Sequence, residues 1–254
     1  GDSMTDELAR IHRFEREVDM AGTETVASPL GIGVLTPELP LRHDSNYLLI
    51  DRARDTAEAI AEADRILGGA GRDFRVINTF EEELGERLRP EFHALGWRTQ
   101  RHVFMILRRP PTKTADVSIV REVDQAALRP GRKRAILSYP WGTPELAEQL
   151  LDSKLLLGEH AETRFFGIEL DGEIVAWTDL YLAHGVGQVE DVATLPEHRG
   201  KGYATAVVLR AVEEARRAGA DLVFLVADDE DWPKELYRRL GFDEVGLAYK
   251  FGTP

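Results

Sequence analysis

The segment Arg199-Gly200-Lys201-Gly202-Tyr203-Ala204 holds the residue types that bind an anion through the backbone. Two glycines are spaced by one basic residue, and an apolar-periodic stretch follows at once. The first N–H groups of a helix have no intrahelical acceptor, and the helix dipole puts its positive end there. Such a terminus is a ready seat for a phosphate. Gly200 and Gly202 carry no Cβ, so a ligand can approach the main chain closely. Arg199 and Lys201 add positive charge. The pattern differs from the P-loop, which needs Gly-x-x-x-x-Gly-Lys-Ser/Thr, and it is shorter than a dinucleotide fingerprint.

Composition narrows the remaining chemistry. The absence of cysteine removes disulfides, thiolate-bound metals and thiolate nucleophiles. The seven histidines show no metal-ligand spacing, and no metal is expected. His43-Asp44 has no Gly-x-Ser-x-Gly partner and reads as a loop contact. His198 reads as exposed, and Gly68-Gly69-Ala70-Gly71 reads as a helix stop because it follows a helix. Thirty-two Lys and Arg against 45 Asp and Glu leave a net charge of −13. That field repels nucleic acid and suits a small cationic or amine-bearing partner. A membrane helix needs roughly 20 apolar residues, and the apolar runs here span only a few, so no membrane span is expected. No secretory leader opens the sequence, the residues before Met4 are set aside, and a cytoplasmic location is the expectation.

The elements that must position the turn follow from periodicity. The front half reads as strands at 31–35, 47–50, 74–80 and 101–107, with helices at 55–67 and 82–95. The back half opens with a strand at 117–123 and helices at 125–137 and 144–157. Strands at 163–170 and 173–181 are joined by Asp171-Gly172, a two-residue hairpin turn. A strand at 187–194 leads through Pro196 into the turn and then into a helix at 202–218. Ala204, Val207, Val208, Ala211, Val212 and Ala215 form one continuous apolar face of that helix. The apolar strand 222–226 reads as buried on both faces, and a helix at 233–240 and a strand at 244–251 complete the chain. The whole is an α/β chain with a mixed sheet.

The stretch Arg108-Arg109-Pro110-Pro111-Thr112-Lys113-Thr114 reads as a linker, because its prolines cannot donate to a sheet. It divides the chain into 4–112 and 113–254. The two parts end alike: Leu95-Gly96-Trp97 and Leu240-Gly241-Phe242 each close a helix and precede a strand. Aligning these triplets places Tyr237 on Phe92, so a phenol stands where the front half has a bare ring. The front half also has Arg52-Ala53-Arg54-Asp55 where the back half has its glycine-spaced turn. Internal duplication is the reading.

Arg199 to Ala204, following Val192-Ala193-Thr194-Leu195-Pro196, resembles the acyl-CoA-binding signature of the GNAT N-acetyltransferase superfamily. Leu236-Tyr237-Arg238-Arg239-Leu240-Gly241-Phe242 resembles that family's C-terminal segment. The resemblance covers about 117–251 and extends to tandem members in which one half keeps the cofactor site. It implies two GNAT-like domains of the acyl-CoA N-acyltransferase fold: a degenerate one at 4–112 without a cofactor motif, and a complete one at 113–254.

The resemblance further implies acetyl-CoA as co-substrate, lying between the strand that ends at Thr194 and the strand 222–226. The implied cofactor contacts are Val192, Ala193 and Thr194 on the strand, and Arg199, Gly200, Lys201, Gly202, Tyr203, Ala204 and Thr205 at the turn. A backbone N–H of the 192–194 stretch would stabilise the oxyanion. Tyr237 would protonate the leaving thiolate. The acceptor would be the amine of a small molecule or peptide, attacking the thioester directly. Glu190 and Asp191 are the candidate bases, with a water relay as the alternative. Strand alternation allows only one of them to face the substrate, and Glu190, sharing a face with Val192 and Thr194, is preferred.

Family members often carry an asparagine seven residues before the tyrosine, where Glu230 stands here. Asp228, Asp229 and Glu230 are candidates for attracting a cationic substrate or are merely solvated. Trp141, Trp177, Trp232, Tyr139 and Tyr181 either wall an acceptor pocket or pack. Arg132-Lys133-Arg134 reads as a solvated basic patch, or as a contact for the 3′-phosphate of CoA or for nucleic acid. A homodimer is a family-level expectation. The alternative to an enzyme is a non-catalytic acyl-CoA-binding sensor or interaction module.

Overall fold

A computed structural model describes residues 2–19, 23–231 and 233–254. The front half runs α1 (Asp2–Asp19), β1 (Glu24–Ser28), β2 (Gly31–Leu35), β3 (Tyr47–Ile50), α2 (Thr56–Ala63), β4 (Val76–Thr79), α3 (Glu82–Ala94) and β5 (Arg98–Leu107). The back half runs β6 (Arg121–Val123), α4 (Gln125–Leu137), α5 (Pro144–Leu156), β7 (Glu162–Leu170), β8 (Glu173–Ala183) and β9 (Val186–Thr194). It ends with α6 (Tyr203–Arg217), β10 (Leu222–Asp228), α7 (Pro233–Arg239) and β11 (Phe242–Gly252).

Periodicity placed the elements from residue 31 onward, with local differences. The helix read at 55–67 is α2 followed by a wider π turn, Asp64–Gly68. The strand read at 117–123 is a 3₁₀ turn, Val117–Ile119, and then the short β6. The Asp116 carboxylate accepts from the Ser118 N–H at 3.0 Å and turns the chain there. Two elements, α1 and β1, precede the first strand of the sequence reading. Ile11, Phe14 and Val18 recur on one face of α1 and are all buried.

The eleven strands form one sheet in the order β1-β2-β3-β4-β11-β5-β10-β9-β8-β7-β6. The two strands that follow the matching triplets, β5 and β11, lie side by side, antiparallel from Phe242 opposite Leu107 to Gly252 opposite Arg98. Each is exchanged into the other half. β11 also pairs with β4, and β5 also pairs with β10. β3 lies parallel to β4 as β9 lies parallel to β10. The seam between β5 and β11 therefore relates two similar arrangements, and the sheet runs unbroken through both halves.

Side-chain alternation divides the two faces. Leu48, Ile77 and Tyr249 pack against α2 and α3, while Val103 and Val189 join the core under α6. Val207, Val208 and Ala211 of α6 are fully buried there, each valine contributing roughly 1.5–3 kcal/mol. The opposite face carries Leu49, Asn78, Lys250, His102 and Glu190 under α1 and α5, where the sheet and helices enclose a cavity.

Candidate active site

α6 begins without a side-chain cap. Its N-cap is Gly202, at φ 80 in the left-handed region, and the first helical bond runs from the Ala206 N–H to the Gly202 carbonyl at 3.1 Å. The N–H groups of Tyr203, Ala204 and Thr205 thus precede any intrahelical acceptor. Gly200 is also left-handed, at φ 78. A Cβ on either glycine would meet no atom within 4 Å. Glycine here serves the left-handed backbone conformation and relieves no internal clash.

The matching helix of the front half is closed by the protein's own acids. Asp55 accepts from the Glu58 N–H at 2.9 Å, and Glu91 accepts from the Thr56 hydroxyl at 2.9 Å and its N–H at 3.3 Å. Carboxylates already sit where an anion would.

β9 and β10 pair over only three positions, Val186 to Gln188 against Leu222 to Phe224. Beyond these the strands part, and β9 runs on to Thr194. Val192, Ala193 and Thr194 lie on this free-running stretch, and Arg199 reaches back to donate to the Thr194 carbonyl at 3.2 Å. The parting strands and the uncapped start of α6 enclose the segment expected to hold the cofactor.

A β-bulge changes the expectation for the two acids. Asp179 faces Glu190, yet Trp177 faces Ala193, so β9 carries one extra residue against β8. Asp191 takes a left-handed conformation at φ 56. Simple strand alternation breaks here: Glu190 shares its face with Ala193 rather than with Val192 and Thr194. Asp191 turns to the Glu190 side, where its Oδ2 lies 3.5 Å from Arg132 and 3.6 Å from Lys154. Both acids therefore address one cluster.

At the centre of that cluster is Asp179, fully buried. It pairs with Arg132, lies 3.0 Å from Lys154 Nζ and accepts from the Tyr181 hydroxyl at 2.6 Å. The two cations hold its carboxyl below the ordinary range despite burial, which alone would raise it. Arg132 is 4% exposed, so the reading of Arg132 to Arg134 as one solvated patch is corrected. Lys133 and Arg134 do form surface pairs, with Glu148 at 3.0 Å and with Glu173 at 2.7 Å. Arg132 and Lys154 were missed as site residues. The signal was available: Leu128 and Arg132 are four apart on α4, and Ala147, Leu151 and Lys154 share a face of α5 whose first two members are buried.

The Glu190 carboxyl is pushed up to about 7. Burial is the main cause; Lys154 opposes it, and the Asp191 and Asp179 charges add to it. Gln188 donates to Glu190 at 2.8 Å and to Glu15 of α1 at 2.7 Å. Tyr237 on α7 is 9% exposed. Burial, and then the Glu190 and Asp231 charges, raise its phenol above the ordinary value. Lys154→Met should move the Glu190 titration upward by removing a nearby cation. The Glu190 midpoint, followed by NMR of its side chain, should shift to higher pH; an unchanged midpoint would contradict this electrostatic assignment.

The cavity measures about 450 Å³ and reaches Glu190 from the seam of the sheet. Its walls include Lys154, Tyr181 and Asp228 of the back half, and Asn78 and His102 of the front half. Of Asp228, Asp229 and Glu230, only Asp228 lines it. Asp229 pairs with Arg101 at 2.6 Å and Lys234 at 3.0 Å, and Glu230 pairs with Arg89. Among the described aromatics of the expected wall, Tyr181 alone lines the cavity. Trp177 is buried, whereas Tyr139 and Trp141 stack on each other in solvent. Trp232 lies outside the described residues. Among the described residues no cluster of His, Asp or Glu is placed to hold a metal ion, and no helix is long and apolar enough to cross a membrane.

Residues 127–242 match the model of the acetyltransferase (GNAT) family. An uncharacterised N-acetyltransferase of Methanocaldococcus jannaschii is 31% identical over 91 residues, covering 33% of this chain and 40% of that protein. Streptothricin acetyltransferase of Streptomyces lavendulae is 33% identical over 94 residues, covering 35% of this chain and 50% of that protein. The chain thus spans half or less of the curated relatives it matches. A solved tandem GNAT protein from the clavulanic acid biosynthesis pathway covers 93% of this chain, which covers 87% of it, at 16% identity and a TM-score of 0.58. That likeness shows the fold, a mixed α/β architecture of tandem GNAT type.

Proposed function

Residues 127–242 belong to the acetyltransferase (GNAT) family, and on that premise we propose that the chain transfers an acetyl group from acetyl-CoA to a primary amine. The observation that carries the reading is the uncapped start of α6 beside the parting of β9 and β10, with Glu190 on the parting strand. The N–H groups from Gly200 to Thr205 fit a diphosphate, and Arg199 and Lys201 add charge at its rim. The free edge of β9 around Val192 and Thr194 suits an amide-bearing arm, which it would pair as a further strand. Acetyl-CoA lies in the 113–254 part alone, because the corresponding helix of 4–112 is closed by Asp55 and Glu91.

Bound there, acetyl-CoA supplies an activated acyl group as a thioester. An alkyl amine arrives protonated, with an ordinary pKa near 10. Glu190, titrating at about 7, takes that proton; burial of the ammonium in the cavity lowers its own pKa and brings the two closer. Tyr237, its pKa raised, holds a proton to give to the leaving sulfur. A backbone N–H of the 192–194 stretch is available to the acetyl oxygen. Attack is direct, without an acyl-enzyme.

The test is release of free CoA thiol from acetyl-CoA in the presence of a panel of primary amines. Amine-dependent release supports the reading. Tight acetyl-CoA binding with no release for any amine would replace it with a non-catalytic sensor.

A further inference from the structure

Seven strands, from β3 to β8 across the sheet, contribute to the cavity floor, and the two halves build it together. Glu190 stands on β9 toward one end, and Asn78 on β4 toward the other. β10, β5 and β11 lie between them. Four strand spacings of about 4.8 Å make roughly 19 Å. Along this floor the register sets Lys250 beside Asn78, and sets His102 beside both Ala248 and Asp228. A compact amine held at Glu190 would leave most of this length unused.

The charges along the floor are largely matched. Lys250 pairs with Asp44, and Lys154 with Asp179. Among the described residues, two buried polar atoms on front-half residues lining the cavity have no hydrogen-bond partner: Asn78 Oδ1 and Arg42 Nε. One is an acceptor and the other a donor. Buried polar groups are almost always satisfied, so such a pair in a cavity wall marks places for ligand groups. An amide supplies both complements, its N–H for Asn78 and its carbonyl for Arg42.

We propose that this cavity is the acceptor site, that the front half builds its far wall through Asn78 and Arg42, and that its ligand is an extended primary amine of peptide type. This rests on the acetyl-transfer reading above. The amine sits at Glu190, with Asp228 nearby as a second carboxylate, and an amide beyond it meets Asn78 and Arg42. An extended peptide advances about 3.3–3.6 Å per residue, so about four residues reach most of the way along the floor. The front half, which lacks the glycine-spaced turn, thereby serves acceptor choice instead of cofactor binding.

The test uses CoA whose sulfur carries a –CH2–CO– link to one glycine amide or to tetraglycine amide, with binding to the full chain measured calorimetrically. The tetraglycine conjugate should bind at least tenfold more tightly than the one-glycine conjugate. Asn78→Ala and Arg42→Gln should each remove most of that gain and leave CoA and the short conjugate unaffected. Equal affinity of the two conjugates for the unmodified protein would overturn the proposal, as would an alkyl tail of equal length binding as tightly as tetraglycine. If CoA itself fails to bind, the acetyl-transfer reading falls first, and this one with it. The length comparison needs no variant and so stands even where a substitution disturbs folding.

Discussion

Replacing Tyr237 with phenylalanine should lower kcat by about 10²–10⁴-fold, the usual contribution of a positioned acid or base, while acetyl-CoA binding stays unchanged. The substitution removes one hydroxyl from a buried ring and leaves the ring's edge contact with Phe242, at 6.4 Å between centroids. Packing is retained, so melting should move little. The loss falls on chemistry because the group is held as a neutral phenol. Burial and the carboxylates of Glu190 and Asp231 all raise its pKa, so it keeps its proton throughout the working pH range. A thiolate leaving group needs that proton at the moment the C–S bond breaks. The front half illustrates the substituted state, since Phe92 stands at the matching position on α3, fully buried in the core. A variant that retains kcat within threefold would remove Tyr237 from the reaction.

Glu190→Gln should produce a loss of similar size in kcat/KM and also change the shape of the pH profile. The wild-type carboxyl titrates near 7. Below that pH it is protonated and cannot accept the amine's proton, so kcat/KM should rise tenfold per pH unit at low pH and level off above about 7. The glutamine variant should lose this limb. Stability should respond in the opposite sense. The folded-state pKa is raised from the ordinary 4.5, so folding favours the protonated form. That stabilising contribution is complete below 4.5 and is lost as the pH rises through 7. Glu190→Gln should therefore raise Tm relative to wild type at pH 8 and not at pH 4. A limb that persists in the variant would assign the base elsewhere, with Asp191 on the same face the next residue to test.

Much of this arrangement could be read from the sequence because it is local. The apolar face of α6, the Asp171-Gly172 hairpin and the glycine-spaced turn are each written within a few adjacent residues, and each appears at its expected place. What the sequence does not show is set by tertiary contacts. β5 turns apolar only from Val103 to Leu107 and β11 mixes apolar residues with Asp243, Glu244 and Lys250, and no local pattern says that they pair with each other and cross into opposite halves. The bulge at Asp191 is likewise invisible to an argument from alternation. It requires an extra residue against Thr178, and only the known tolerance of aspartate for left-handed backbone hints at it. α1 and the cations of the buried cluster form a different class. Ile11, Phe14 and Val18 recur at helical spacing, and Arg132 and Lys154 lie on apolar helix faces, so those signals were present. The acceptor cavity is the least legible feature, since its walls come from residues between Glu15 and Lys250.

The proposed acetyl transfer depends on the grip of the α6 N-terminus on a diphosphate, and calorimetric titration of acetyl-CoA into the wild-type chain and Gly202→Asp tests that grip most directly. Aspartate at φ 80 costs some backbone strain but meets no neighbour, so the variant should fold. Its carboxylate would stand where the ligand's negative charge must sit. Acetyl-CoA should bind the wild type and bind the variant at least 100-fold more weakly, about 2.7 kcal/mol. Equal affinity for the two proteins, with both folded, would place the diphosphate elsewhere and contradict the account.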